Sequence, residues 1–186
     1  NAEEPMCIGG VFGGLESGVT ENTTNIFIES AYFNPVSIRK TARRHGLNTD
    51  ASFRFERGID PHNTIYVLKY AAMLIKELTG GSIASEITDI YPTPLNNFEV
   101  DITLNKIHTL IGKEIETEQI ERIFDGLEMK IVERTADGYK LEVPAYRVDV
   151  QRDVDVIEDI LRIYGYNNVE LSDRLTSNLS FSKGVD

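Results

Sequence analysis

The alternation of apolar and polar positions cuts this chain into short segments, each with its own period. Residues 7–12 form a brief apolar run ahead of a glycine turn and predict a short buried strand. Residues 25–33, Asn-Ile-Phe-Ile-Glu-Ser-Ala-Tyr-Phe, alternate with a period of two and predict a half-buried strand. Asn34 followed by Pro35 is a helix start signal, and Gly46 a stop, so a helix carrying Ile38 and Ala42 is expected between them. Over 52–57, aromatic and charged residues alternate and lean toward strand. Asp60-Pro61 opens a long helix to Thr79, with Ile65, Leu68, Ala71, Ala72, Ile75 and Leu78 on one face. A further strand is expected over 83–91.

The rhythm changes after Pro92-Thr93-Pro94-Leu95-Asn96-Asn97, whose composition is that of a linker. Beyond it the pattern predicts a strand over 98–104, a short helix over 105–111 closed by Gly112, and a second helix over 117–127. A hairpin follows, 129–134 and 139–143, across the turn pair Asp137-Gly138. Residues 152–164 predict a closing helix. The expected fold class is therefore α+β in two modules: a partial mixed α/β domain over 1–92, and a helix-turn-helix or winged-helix-like module with a hairpin over 98–170. Residues 93–97 link them, and 171–186 form a polar tail.

Composition narrows the picture little. The 186 residues are 41% hydrophobic and 26% charged, ordinary for a globular chain with a real core. The net charge of −11 argues against a broad nucleic-acid platform, yet Arg39, Lys40, Arg43, Arg44, Arg54 and Arg57 crowd one window. The single cysteine, Cys7, excludes an intramolecular disulfide, fits a reducing cytoplasm, and sits in an apolar run as inert core. No apolar run approaches the roughly 20 residues of a membrane span. Asn1-Ala2 reads as a cloning remnant and the chain as a piece of something longer.

Four constellations could carry chemistry, each beside a plainer reading. Gly9-Gly10-x-x-Gly13-Gly14 fits neither the dinucleotide fingerprint nor a P-loop, so it is a tight turn or the wall of a pocket. Glu29 lies within the alternating apolar run, as an edge carboxylate paired with an arginine or as a polar group fixing a ligand. The basic residues from Arg39 to Arg44 form a solvated face or a phosphate-facing surface. Further on, Asp155, Glu158 and Asp159 share a helix face, with Asp149 and Asp153 just before them. They are a dipole-favoured acidic start or ligands for a hard divalent ion, Mg2+ by preference. His45, His62 and His108 are scattered, so no zinc set or nucleophilic triad can be argued. The second helix of the helix-turn-helix-like module exposes Glu116, Glu118 and Glu121 with only Arg122 positive, which suits protein docking better than DNA.

Gly10-Val11-Phe12-Gly13-Gly14, Ile28-Glu29-Ser30-Ala31-Tyr32-Phe33, Arg43-Arg44-His45-Gly46-Leu47 and the run from Thr49 to Pro61 resemble the beta-subunit family of bacterial phenylalanine–tRNA ligases. Pro144-Ala145-Tyr146-Arg147-Val148-Asp149 and Ile163-Tyr164-Gly165-Tyr166-Asn167-Asn168 are similar to the same family further on. The resemblance implies that the first module is the C-terminal part of a tRNA-editing domain, and the second the compact domain that follows it. It implies an editing pocket in which Glu29 reads the tyrosine hydroxyl, Thr49 and Ala51 line the wall, and Gly10 and Gly13 form the adjoining turn. It also implies Mg2+ held by Asp149, Asp155, Glu158 and Asp159 together with an alpha subunit. The implied partners are that alpha subunit, in a heterotetramer that uses ATP at its own site, and phenylalanine tRNA. The family's pocket uses further residues, histidines included, from upstream of Asn1, so the fragment alone is expected to be inactive. The rival expectation is a non-catalytic nucleic-acid-binding or metal-binding module.

Overall fold

The computed structural model describes residues 2–170; the expected polar tail at 171–186 lies outside the described residues. Its elements, in order, are α1 (Pro35–His45), α2 (Asp50–Phe55), α3 (Thr64–Thr79), β1 (Phe98–Thr103), α4 (Leu104–Ile111), α5 (Thr117–Gly126), β2 (Lys130–Arg134), β3 (Gly138–Val143) and α6 (Asp153–Tyr164). A short 3-10 turn, Tyr166–Asn168, follows. The architecture is α+β, in two compact units. The first unit holds the described residues through Asn97 together with Pro144–Val148; the second holds Phe98–Val143 and the described residues from Asp149 on.

In the first unit α1 starts and stops where its punctuation dictates. The Asn34 carboxamide oxygen accepts the Ser37 amide at 3.0 Å, and Gly46 closes the helix in the left-handed region at φ 65°. Its apolar face buries Ile38 and Ala42 against Val11, with Ile8, Phe33, Leu47 and Phe55 packed around them. Phe33 and Phe55 meet edge to face, centroids 4.9 Å apart. The strand expected over 7–12 is only an isolated bridge between Ile8 and Phe12, closed around the glycine turn. Cys7 is exposed, not core.

Three more expectations give way here. Residues 52–55 belong to helix α2 and 56–57 to the turn that follows, because Thr49 and Ser52 cap one another and start a helix that a six-residue alternation could not reveal. Residues 25–33 and 83–91 carry no strand: Phe27 is 94% exposed and Ile90 81%, and no described strand lies alongside to complete a ladder. The long helix α3 begins at Thr64, three residues past Pro61, and buries no residue fully.

The second unit is a complete small fold. Its sheet has the order β1-β3-β2, all antiparallel, with Val100 opposite Leu141 and Ile102 opposite Tyr139. Alternation along β1 turns Val100 and Ile102 inward. Behind the sheet α4, α5 and α6 contribute Ile107, Ile120, Phe124, Val156 and Ile160, all essentially inaccessible. Strand, two helices, then a hairpin is the connectivity of a winged helix-turn-helix module. The Arg134 guanidinium clamps the Glu121 carboxylate with two bonds of 2.9 Å, tying α5 to β2.

Candidate functional site

The glycine turn is built by its contacts. Val11 and Phe12 both donate their amides to the Ile8 carbonyl at 2.9 Å, which reverses the chain. Gly10 sits at φ 69°, and a methyl group there would come within 2.7 Å of Ile38 and 2.8 Å of Phe33. Only glycine fits. Gly13 is different: open space surrounds the position its Cβ would take.

Thr49 joins this turn to α2. Its hydroxyl donates to the Val11 carbonyl at 2.6 Å, while its oxygen accepts the Ser52 amide at 3.1 Å. The Ser52 hydroxyl accepts the Thr49 amide at 3.0 Å in return, and Ser52 is buried. One side chain therefore caps a helix and holds a turn 38 residues away in sequence. Ala51, exposed in the first turn of α2, lies two residues further on. The structure thus joins Thr49 to the turn that holds Gly10, through the Val11 carbonyl, and places Ala51 on the same short helix that Thr49 caps. Val11 and Ser52 were not among the expected site residues; the Thr-x-x-Ser spacing was the available signal for Ser52.

Glu29 stands apart. It lies on the extended segment before α1, whose neighbour Ser30 donates its hydroxyl to the Thr64 carbonyl at 2.8 Å. Glu29 is exposed and, among the described residues, makes no hydrogen bond or ion pair. The edge-strand ion pair with an arginine is therefore not formed, and the described residues do not enclose the carboxylate in apolar surroundings.

The acidic set on α6 is consumed locally. Asp155 accepts the amides of Arg152 at 2.9 Å and Gln151 at 3.2 Å, and takes the Arg152 guanidinium at 2.8 Å. The Arg152 hydrogen bond holds its carboxyl well below the ordinary value, at about 2. Asp153 pairs with Lys106 of α4, which lowers its pKa as well. Glu158 pairs with Arg162 at 2.7 Å, and the buried Asp159 faces the same guanidinium at 3.5 Å. Those two carboxylates push the Arg162 pKa up, Asp159 foremost. Among the described residues no group of three or more Asp, Glu, His or Cys side chains is placed to hold a metal ion. In this structure Asp155 faces Arg152, and Glu158 and Asp159 face Arg162, so these three carboxylates are turned to arginines and not to one common point.

The face that α5 would present to a duplex carries Glu118 and Asp125 beside Arg122, all exposed. No described helix is long and apolar enough to cross a membrane.

Residues 1–80 match the family model of the B3/4 domain, and residues 100–166 that of the tRNA synthetase B5 domain. Along its length the chain is similar to proteins named phenylalanine–tRNA ligase beta subunit. It is 65% identical to that of Bacteroides fragilis over 186 residues, all of this chain and 23% of the relative. Identity is 63% to that of Bacteroides thetaiotaomicron over 180 residues, 97% of this chain and 22% of the relative. With that of Porphyromonas gingivalis it is 51% over 183 residues, 98% of this chain and 22% of the relative. The chain thus spans under a quarter of these relatives' length.

Proposed function

We propose, from the premise that this chain belongs to the phenylalanine–tRNA ligase beta-subunit family, that its first unit forms part of a site hydrolysing tyrosine wrongly attached to phenylalanine tRNA. The observation that carries the reading is the Thr49 hydroxyl bound to the Val11 carbonyl, which fixes a glycine turn against a capped helix start as one rigid wall. Rigid elements that hold backbone close to a ligand are what a discriminating pocket requires. Glu29 supplies the discriminating group: an exposed carboxylate, unpaired among the described residues, able to accept the tyrosine hydroxyl.

The physical need for such a site is direct. Tyrosine is phenylalanine plus one hydroxyl, and an apolar synthetic pocket rejects that addition poorly. A second site that hydrogen-bonds the hydroxyl accepts tyrosine and leaves its own polar group unpaired with phenylalanine, an asymmetry worth roughly 10⁴–10⁵. A positioned water then attacks the ester carbonyl, freeing tyrosine and the terminal ribose hydroxyl of the tRNA. No protein nucleophile is needed.

The second unit serves as a docking and scaffold module within a cytoplasmic heteromer, against an alpha subunit that joins phenylalanine to tRNA with ATP. Its acidic α5 face supports a protein partner over a nucleic-acid one. The test is Glu29→Ala in the assembled enzyme. Hydrolysis of tyrosyl-tRNA falls at least tenfold while phenylalanine attachment is kept; unchanged hydrolysis rejects the assignment.

A further inference from the structure

The helix α1 carries four cations that no acidic side chain partners among the described residues. Arg39, Lys40, Arg43 and Arg44 are all exposed, and among the described residues none of them is in an ion pair. At 100° per residue they cover an arc of about 140°, opposite the face that buries Ile38 and Ala42. The chain holds 30 acidic residues against 19 basic ones, so cations have acids to spare. Elsewhere Arg57, Lys106, Arg134, Lys140, Arg152 and Arg162 are each paired, while Lys69, Lys76, Arg122 and Lys130 stand singly, in no ion pair among the described residues; α1 differs in setting four such cations on one face. The helix dipole accounts for Arg43 and Arg44 in the last turn of α1. It does not account for Arg39 and Lys40, one turn earlier. Among the described residues Arg54 of α2 is also exposed and in no ion pair.

We infer that this stripe binds the phosphate backbone of the tRNA and positions its acceptor end toward the glycine turn, an inference that rests on the editing reading above. The backbone is the partner whose chemistry fits. Four cations on one rigid helix face meet a regular array of phosphates, and contacts of this kind position without reading sequence. A membrane surface fits less well. An interfacial helix needs a free apolar face beside its basic one, and that face of α1 is already packed on Val11.

The experiment is equilibrium binding of this chain to a fluorescein-labelled, unacylated phenylalanine tRNA transcript from about 50 to about 200 mM salt. It compares the wild type with the combined variant Arg39→Gln, Lys40→Gln, Arg43→Gln and Arg44→Gln. Four lost phosphate contacts remove roughly 50- to 150-fold of the salt-dependent affinity loss across that range. The variant is therefore expected to bind weakly and with a shallow salt slope. A charge-keeping variant, with lysine at positions 39, 43 and 44, keeps the wild-type slope and guards against misfolding. A control with Arg122→Gln and Lys130→Gln in the second unit leaves binding unchanged. Three results overturn the inference: no wild-type binding at low salt, equal slopes for wild type and glutamine variant, or binding to phosphatidylserine vesicles in place of RNA. Because the transcript carries no amino acid, such a failure leaves the hydrolytic reading of Glu29 untouched.

Discussion

Replacing Thr49 with valine keeps the shape of the side chain and removes two hydrogen bonds at once. Valine cannot accept the Ser52 amide, now 3.1 Å from the threonine oxygen, nor donate to the Val11 carbonyl at 2.6 Å. Losing an N-cap of this kind costs about 1 kcal/mol. A hydrogen bond to a backbone carbonyl contributes about another 1 kcal/mol. Together, about 2 kcal/mol makes local opening about 30-fold more frequent. Amide hydrogen exchange reads that directly, because it reports local opening free energies residue by residue. The Ser52 and Phe53 amides, bonded to the Thr49 hydroxyl and carbonyl, exchange about 30-fold faster in Thr49→Val. The Val11 amide, bonded to the Ile8 carbonyl, also accelerates, since Thr49 holds the turn as well as the helix. Thr49→Ser keeps both bonds and shifts each rate less than about threefold. If Thr49→Val speeds the α2 amides but leaves Val11 untouched, the threonine is a local cap and the rigid wall does not exist.

Two further outcomes concern α6. The Asp155 carboxyl titrates at about 2 in the folded chain against 3.8 ordinarily, so its contribution is full above about pH 4 and is lost as pH falls toward 2. Urea midpoints measured between about pH 5 and about pH 2 therefore drop more steeply for the wild type than for Asp155→Asn. Equal slopes would show that the Arg152 pair contributes nothing to folding. Mg2+ added to this chain leaves its melting temperature unchanged, because Arg152 and Arg162 already neutralise the carboxylates. A rise of several degrees at millimolar Mg2+ would show that the cation displaces them.

Where an element's cause is local, the sequence discloses it. Asn34, Pro35 and Gly46 carry both ends of α1 in their own chemistry, and the structure places both ends there. The second unit is legible because its apolar partners all lie within one compact stretch: Val100 and Ile102 alternate inward onto Ile107, Phe124 and Leu141. Over 52–57 Phe53 and Phe55 imitate a strand, whereas the Thr49–Ser52 reciprocal cap makes the stretch through Phe55 helical. The alternation at 25–33 and 83–91 is real, but a strand needs a neighbour, and periodicity says nothing about who supplies it. The site shows the same division. Gly10 announces itself by residue type, while the Thr49–Val11 bond joins positions 38 apart that no spacing rule connects. Asp155, Glu158 and Asp159 share a face of α6 as their spacing requires, yet spacing is blind to Arg152 and Arg162, which pair with them.

The central claim concerns one carboxylate and one phenolic hydroxyl, so the most direct measurement compares two esters that differ by that oxygen. Hydrolysis of tyrosyl-tRNA and of phenylalanyl-tRNA is followed with the assembled enzyme carrying Glu29, Glu29→Gln or Glu29→Ala. The account predicts that the preference for the tyrosyl ester collapses in Glu29→Ala and partly survives in Glu29→Gln, which can still accept a hydrogen bond. A preference that stays the same in all three would contradict it.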